Sequence, residues 1–159
     1  MSTPHRYADR MRTNKTARLS DDELDAWRGF RRMGELISSL VAQQITVVTG
    51  LSSADFAVLS QLRAAGGGKR QKEMQTFLGW DKSRLSHQLA RMEARSLISK
   101  SQQGPNGPEV RLTREGRMKL EEALPTHAAE VRRYFIDPLS KEDIAAIRVV
   151  ADKLRKAVG

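Results

Sequence analysis

The sequence predicts a mainly α-helical chain with one small β-hairpin, and three observations carry that prediction. Four sites have the Ser or Asp capping chemistry that starts a helix. Between them, apolar residues recur at helical spacing. Near residue 106, an Asn-Gly turn is flanked by two short runs that read as strands.

Taken in order, the helix starts share one pattern. Leu19-Ser20 with Glu23 and Leu24, Leu51-Ser52 with Asp55 and Phe56, and Leu139-Ser140 with Asp143 and Ile144 each place an acid three residues after a Ser. The Ser hydroxyl can take an orphan N–H of the first turn, the acid reaches back, and the apolar pair closes over the junction. Asp81, with Trp80 and Leu85, is the fourth start.

From Asp21 to about Val47, Leu24, Trp27, Phe30, Leu36, Ile37, Leu40, Val41 and Ile45 form an amphipathic stripe. That length exceeds what a core of this size can cover, so part of the stripe is expected to meet another chain. A helix after Ser52 aligns Phe56, Leu59 and Leu62 and stops at Gly66-Gly67-Gly68. A short helix from about Arg70 to Leu78 ends at Gly79, and another from Lys82 to Ser96 turns Leu85, Leu89 and Met92 inward. Strands are expected over Leu97–Gln103 and Glu109–Leu112. Thr113 caps a helix that Pro125 is expected to bend or interrupt, and Ser140 opens the last one, with Ile144, Ile147, Val150 and Leu154.

Composition bounds the function. The chain has 159 residues, enough for one domain or a domain with an interaction element, at roughly 100–200 residues per domain. With 39% hydrophobic but 5% aromatic residues, the core must be mostly aliphatic. The absence of Cys excludes disulfides, thiolate zinc or iron–sulfur sites and thiol redox switching. No apolar run approaches the roughly 18 residues of a spanning helix, and no leader pattern opens the sequence. The expectation is a soluble, cytoplasmic protein with no membrane partner.

The net charge of +9 points to polyanionic partners. It is unevenly placed: +4 over residues 1–20 (5 basic, 1 acidic), −2 over 21–68 (4 and 6), +6 over 69–117 (11 and 5) and +1 over 118–159 (8 and 7). A concentrated central excess with a basic arm is the footprint of a nucleic-acid binder, although a solvated charged face gives the same count.

The central order of helix, short helix, tight turn, helix and hairpin is the layout of a winged helix-turn-helix. The Gly79-Trp80-Asp81 turn is short enough to set two helices at a steep angle, with the second projecting its N-terminal residues as a recognition helix does. The organisation read from this is a basic arm at 1–19, a dimerisation helix at 20–50, a winged helix-turn-helix DNA-binding domain at 51–116 and dimerisation helices at 117–159.

Residues 51–116, and more loosely the chain from about 20, resemble the multiple-antibiotic-resistance regulator (MarR) family of bacterial transcription factors. The matching stretches are Leu51-Ser52-Ser53-Ala54-Asp55-Phe56-Ala57-Val58-Leu59, Leu78-Gly79-Trp80-Asp81-Lys82-Ser83-Arg84-Leu85-Ser86 and Leu89 through Ile98. Most specific is Val110-Arg111-Leu112-Thr113-Arg114-Glu115-Gly116, with its Leu-Thr-x-x-Gly. The resemblance implies a homodimer with interlocked terminal helices, two winged domains on a pseudo-palindromic operator, and small anionic or phenolic ligands held between the dimerisation and DNA-binding parts. One departure is the wing: the family usually carries an Asp and Arg at its tip, whereas this loop reads Gln103-Gly104-Pro105-Asn106-Gly107-Pro108. Minor-groove contact would then rest on Asn106, with Lys100 and Arg111 beside it, and Asn supplies hydrogen bonds without charge.

Helix geometry assigns the remaining roles. With Leu85, Leu89 and Met92 inward, Ser83, Arg84, Ser86, His87 and Gln88 are expected to face out as base contacts, Arg84 suiting guanine and Gln88 adenine. Plain solvent exposure is the bland alternative for the serines and His87. Ser53, Arg70, Lys82, Arg91, Arg95, Lys100 and Arg111 are phosphate candidates, though Arg91 and Arg95 could equally pair with nearby acids or the wing strand. Trp27, Phe30, Ile37, Leu40, Ile144, Ile147, Val150 and Leu154 are the expected dimer contacts, with packing inside one chain as the alternative. Trp27, Phe30 and Trp80 could line a ring-binding pocket or be plain core. The arm carrying Arg6, Arg10, Arg12, Lys15 and Arg18 could order against DNA.

No enzyme signature competes. Gly66-Gly67-Gly68-Lys69 lacks the spacing of a phosphate-cradling loop, and no nucleophile elbow or zinc-helix motif occurs. His5, His87 and His127 lack metal-ligand spacing, so neither a cofactor nor a metal is expected. The sequence thus points to a DNA-binding transcription regulator, most simply a repressor, with a protein-interaction module on a degenerate winged helix as the competing class.

Overall fold

A computed structural model describes residues 18–101 and 108–158. The basic arm up to Ala17 and the wing tip with Asn106 lie outside the described residues. In order, the elements are α1 (Asp21–Thr49), α2 (Ser53–Ala64), β1 (Gly68–Arg70), α3 (Gln71–Leu78), α4 (Lys82–Ala94), β2 (Ile98–Lys100), β3 (Glu109–Leu112), α5 (Arg114–Val131), a π-helical segment (Arg132–Ile136) and α6 (Lys141–Val158). Two compact units are present, one up to Leu36 and one from Ile37 onward.

All four expected caps form. Ser20 N donates to Glu23 Oε2 (2.8 Å) and Glu23 N to Ser20 Oγ (3.2 Å). The same reciprocal pair ties Ser52 to Asp55 at 2.9 and 3.1 Å and Ser140 to Asp143 at 3.0 and 3.1 Å. Asp81 Oδ1 accepts from Arg84 N at 2.8 Å. Each cap removes an orphan N–H at a helix start, an effect of about 1 kcal/mol per cap.

In the first unit, Trp27 and Phe30 stack at 6.2 Å and are 55% and 56% exposed. Ion pairs join Arg28 to Asp25 and Arg31 to Glu35, both at 3.6 Å on an exposed surface.

The second unit holds the core, built as expected from aliphatic side chains. Val58, Leu59 and Leu62 of α2 meet Met74 of α3, then Leu85, Leu89 and Met92 of α4, with Leu97, Ile98 and Val110 below and Leu120 and Ala123 of α5 beside them. Val41 and Ile45 of α1 complete it. The sheet is antiparallel in the order β1-β3-β2, with Lys69 opposite Val110 and Lys100 opposite Val110 on the other side.

Three expectations are corrected. Gly68-Lys69-Arg70 is a strand, where the triple glycine was expected only to stop a helix and the next helix to start at about Arg70; β3 offers it a free edge, and its own residues have no alternating pattern. The first hairpin strand is confined to Ile98–Lys100 among the described residues. Helix α5 continues through Pro125, which is exposed, as is Glu121, whose carbonyl loses its donor there and can turn to water.

The Leu-Thr-x-x-Gly signature has a physical explanation. Thr113 Oγ1 accepts from Gly116 N (3.0 Å) to cap α5 and donates to the Ser96 carbonyl (2.7 Å) at the end of α4. Gly116 is buried where a Cβ would overlap the Leu97 carbonyl oxygen, so the start of α5 lies directly on the backbone joining α4 to β2. Gly79 meets the other steric demand: it ends α3 at φ +64°, the left-handed conformation that turns the chain into α4.

Candidate nucleic-acid interface

Helix α4 buries Leu85, Leu89 and Met92 and leaves its first turn in solvent. Lys82, Ser83, Arg84 and His87 are exposed there, as expected of a reading face. The Arg84 guanidinium lies over the Trp80 ring, 4.4 Å from its centroid, and Trp80 itself packs against the core. Arg84 therefore starts from a stacked, partly ordered position. Neither Lys82 nor Arg84 forms an ion pair among the described residues.

Two expected base contacts are placed differently. Gln88 is 3% exposed, and its Nε2 donates to Asp55 Oδ1 at 2.7 Å. It follows Leu85 by three residues, so it falls on the same inward arc as Leu89, and its amide is accommodated there by a buried carboxylate. Gln88 is a structural residue, not an outward-facing adenine contact. Ser86 is half-buried, and its hydroxyl accepts from Gln71 Nε2 at 3.0 Å, tying α4 to the first residue of α3.

The phosphate candidates also sort by partner. Arg95 Nη1 pairs with Asp55 Oδ2 at 2.8 Å while its Nη2 donates to the Gly50 carbonyl at 3.3 Å. Arg91 donates to Gln88 Oε1. Lys100 pairs with Glu93 at 2.7 Å and Arg111 with Glu109 at 3.0 Å. The Lys100 and Arg111 pairs lie at a partly exposed surface, where such pairs are weak and can be exchanged for a phosphate. Of the phosphate candidates, Arg95, Lys100 and Arg111 are thus paired with acids of their own chain, whereas Lys82 and the base-reading Arg84 meet no such competition among the described residues. Ser53 is exposed at the start of α2, and Arg70 is half-buried at the start of α3.

Asp55 is the residue whose wider role sequence reasoning missed. It was legible as a capping acid, but at 2% exposed it also receives Gln88 and Arg95 from α4 and the turn after it. Burial pushes its carboxyl up, yet the hydrogen bonds from Arg95 and Ser52 outweigh that and hold it below its ordinary value of 3.8.

Two recesses adjoin the site. An open polar groove runs past Ser38, Gln43 and Thr46 of α1, Ser52, Asp55, Arg91 and Arg95. A second recess, about 230 Å³, is lined by Ile37, Val41, Ile45, Phe56, His127 and Val131, with the His127 ring stacked on Phe56 at 4.9 Å. Trp80 does not line it, and Ile37, expected at a dimer contact, packs against the core of its own chain. Leu40, Ile144 and Ile147 are half-buried, and Val150 and Leu154 are exposed. Among the described residues no cluster of acids and histidines could hold a metal ion, and no single helix is long and apolar enough to cross a membrane.

No protein-family model matches the sequence, and comparison with curated proteins finds no match. Solved structures do match. AbsC, a MarR family transcriptional regulator from Streptomyces coelicolor, is 32% identical, with 89% of this chain and 99% of that one covered at a TM-score of 0.77. Sco3205, a MarR family regulator from the same organism solved in complex with DNA, is 22% identical over 91% and 92% of the two chains, TM-score 0.83. CouR from Rhodococcus jostii RHA1, bound to p-coumaroyl-CoA, is 22% identical over 87% and 95%, TM-score 0.72. With a helix-turn-helix braced on a three-stranded wing sheet, the Leu-Thr-x-x-Gly junction explained by its packing, and nearly the whole length of AbsC matched, this chain belongs to the MarR family of transcriptional regulators.

Proposed function

We propose that this protein is a sequence-specific DNA-binding transcription regulator, not an enzyme, that occupies promoter DNA as a homodimer and acts as a repressor. The observation that carries the reading is the exposed first turn of α4, where Lys82, Ser83, Arg84 and His87 project while the opposite face is locked into the core. A helix held this way fits a major groove, with Arg84 reading a base edge and Lys82 meeting phosphate. Two such helices one turn of DNA apart, about 34–36 Å, read a pseudo-palindrome. The Sco3205 complex with DNA supports the class of partner.

The half-buried Ile144 and Ile147, and the exposed Val150 and Leu154 of α6 with Trp27 and Phe30 of α1, are the apolar surfaces a two-fold partner would cover. In this reading residues 20–50 and 117–159 serve dimerisation, 51–116 serves DNA binding, and the protein works in the cytoplasm on the nucleoid. The recess beside Phe56 and His127 suits a small phenolic or anionic effector; the p-coumaroyl end of the ligand bound by CouR has that phenolic chemistry, whereas its CoA part is far larger than the recess.

Binding of labelled promoter duplex, followed by anisotropy and sedimentation, tests this. A dimer on DNA that makes 6–10 phosphate contacts should lose roughly 10³–10⁵ in affinity between 50 and 200 mM salt. A monomer that ignores duplex DNA at low salt would favour the protein-interaction class instead.

A further inference from the structure

Asp55 stands on α2, yet most of its carboxylate bonds lead elsewhere. Oδ2 accepts from Ser52 N at 2.9 Å and from Arg95 Nη1 at 2.8 Å, and Oδ1 accepts from Gln88 Nε2 at 2.7 Å. Gln88 lies in the middle of α4 and Arg95 is the residue that ends it, seven positions later. One carboxylate therefore grips α4 at two points about two turns apart.

Two points define a rotation where one would leave a pivot. The apolar seam of Leu85, Leu89 and Met92 holds α4 down, but hydrophobic contact is non-directional and tolerates small rotations and slides. Charge-assisted hydrogen bonds are short and directional. The Gln88 amide is held at both ends, its Nε2 on Asp55 and its Oε1 on the Arg91 guanidinium, so it cannot flip without losing both partners. Recognition of base edges needs side chains held to roughly 0.5 Å and 10–20°. A grip of this kind on the far face of α4 supplies that tolerance to Ser83, Arg84 and His87.

We propose that Asp55 is a positioning residue for sequence reading, setting the rotation of α4 through Gln88 and Arg95 without touching DNA. The proposal rests on the regulator reading and adds a determinant of its specificity. It distinguishes residues that read DNA from residues that aim the reader, and moves Gln88 from the first group to the second.

Gln88→Met in the full chain tests it, because that change keeps the Asp55–Ser52 cap and the Arg95 pair and removes the middle grip. Asp55→Asn is the second variant. The probes are the duplex that the wild type selects from a randomised library and a shuffled duplex of equal composition. Affinity for the selected duplex should fall about tenfold in either variant, while affinity for the shuffled one stays within about twofold. Amide exchange at Leu89–Met92 should quicken about tenfold relative to Val58–Leu62 in the same sample. Equal losses on both duplexes, or an unchanged ratio, overturn the proposal. A wild type that selects no duplex defeats the regulator reading; the grip is then judged on exchange alone, and unchanged protection at Leu89–Met92 overturns it.

Discussion

Gly116 and Leu97 are packed backbone to backbone: a Cβ on Gly116 would overlap the Leu97 carbonyl oxygen and come within 3.0 Å of Leu112 Cδ1. The obstacle is main chain held by the Thr113 N–H to Leu97 carbonyl contact, so it cannot swing aside as a flexible side chain would. Gly116→Ala should destabilise the fold by about 3 kcal/mol. At this chain length that lowers the melting temperature by roughly 6–12 °C. Unchanged thermal unfolding would show that the α5 start is free to shift.

Ser96 is the non-glycine residue with positive φ among the described residues, at +57° between α4 and β2. A Cβ in that left-handed region costs roughly 1–2 kcal/mol, which glycine avoids at some cost in chain entropy. Ser96→Gly should therefore stabilise by about 0.5–1 kcal/mol, read as a higher urea midpoint with an unchanged slope. A lower midpoint would mean that the Ser96 side chain makes a contribution larger than the strain.

Asp55 makes stability depend on acid. Its folded carboxyl lies below its unfolded value of 3.8, so it binds protons less readily when folded. The stabilisation is fully present above that value and is lost as pH falls through the lower folded one. Asp55→Asn should be less stable than wild type at neutral pH, and the gap should narrow as urea melts are taken below about pH 4. A gap constant from neutrality to about pH 2 would remove the charged carboxylate as its cause.

Arg84 and Lys82 should separate under substitution. Arg84→Ala is expected to cost about 1–3 kcal/mol on the selected duplex and much less on random DNA, because a base contact carries sequence information. Lys82→Ala should weaken both alike and reduce the salt slope by about one contact. Parallel losses for Arg84→Ala in anisotropy titrations would return Arg84 to the phosphate class.

Ser20, Ser52, Asp81, Thr113 and Ser140 were all legible as helix starts, because a cap is settled by residues three positions away. The α4 core face was legible from Leu85, Leu89 and Met92. Gln88 was not: period alone puts it on the margin of that face, and its polarity argues for solvent. β1 was equally hidden, since Gly68-Lys69-Arg70 becomes a strand by pairing with Glu109, Val110 and Arg111.

The sequence by itself determined where the capped helices begin, that Leu59, Leu62, Leu85, Leu89 and Met92 face the core, and that Arg84 and Lys82 stand at the front of α4. Tertiary structure decided which polar side chains turn inward and which cations are already paired. Capping and amphipathic periodicity act between near neighbours in the chain, whereas the Asp55 partners Gln88 and Arg95 lie 33 and 40 residues away. A buried carboxylate is tolerated when folding brings such distant donors to it, and that meeting is written in no local pattern.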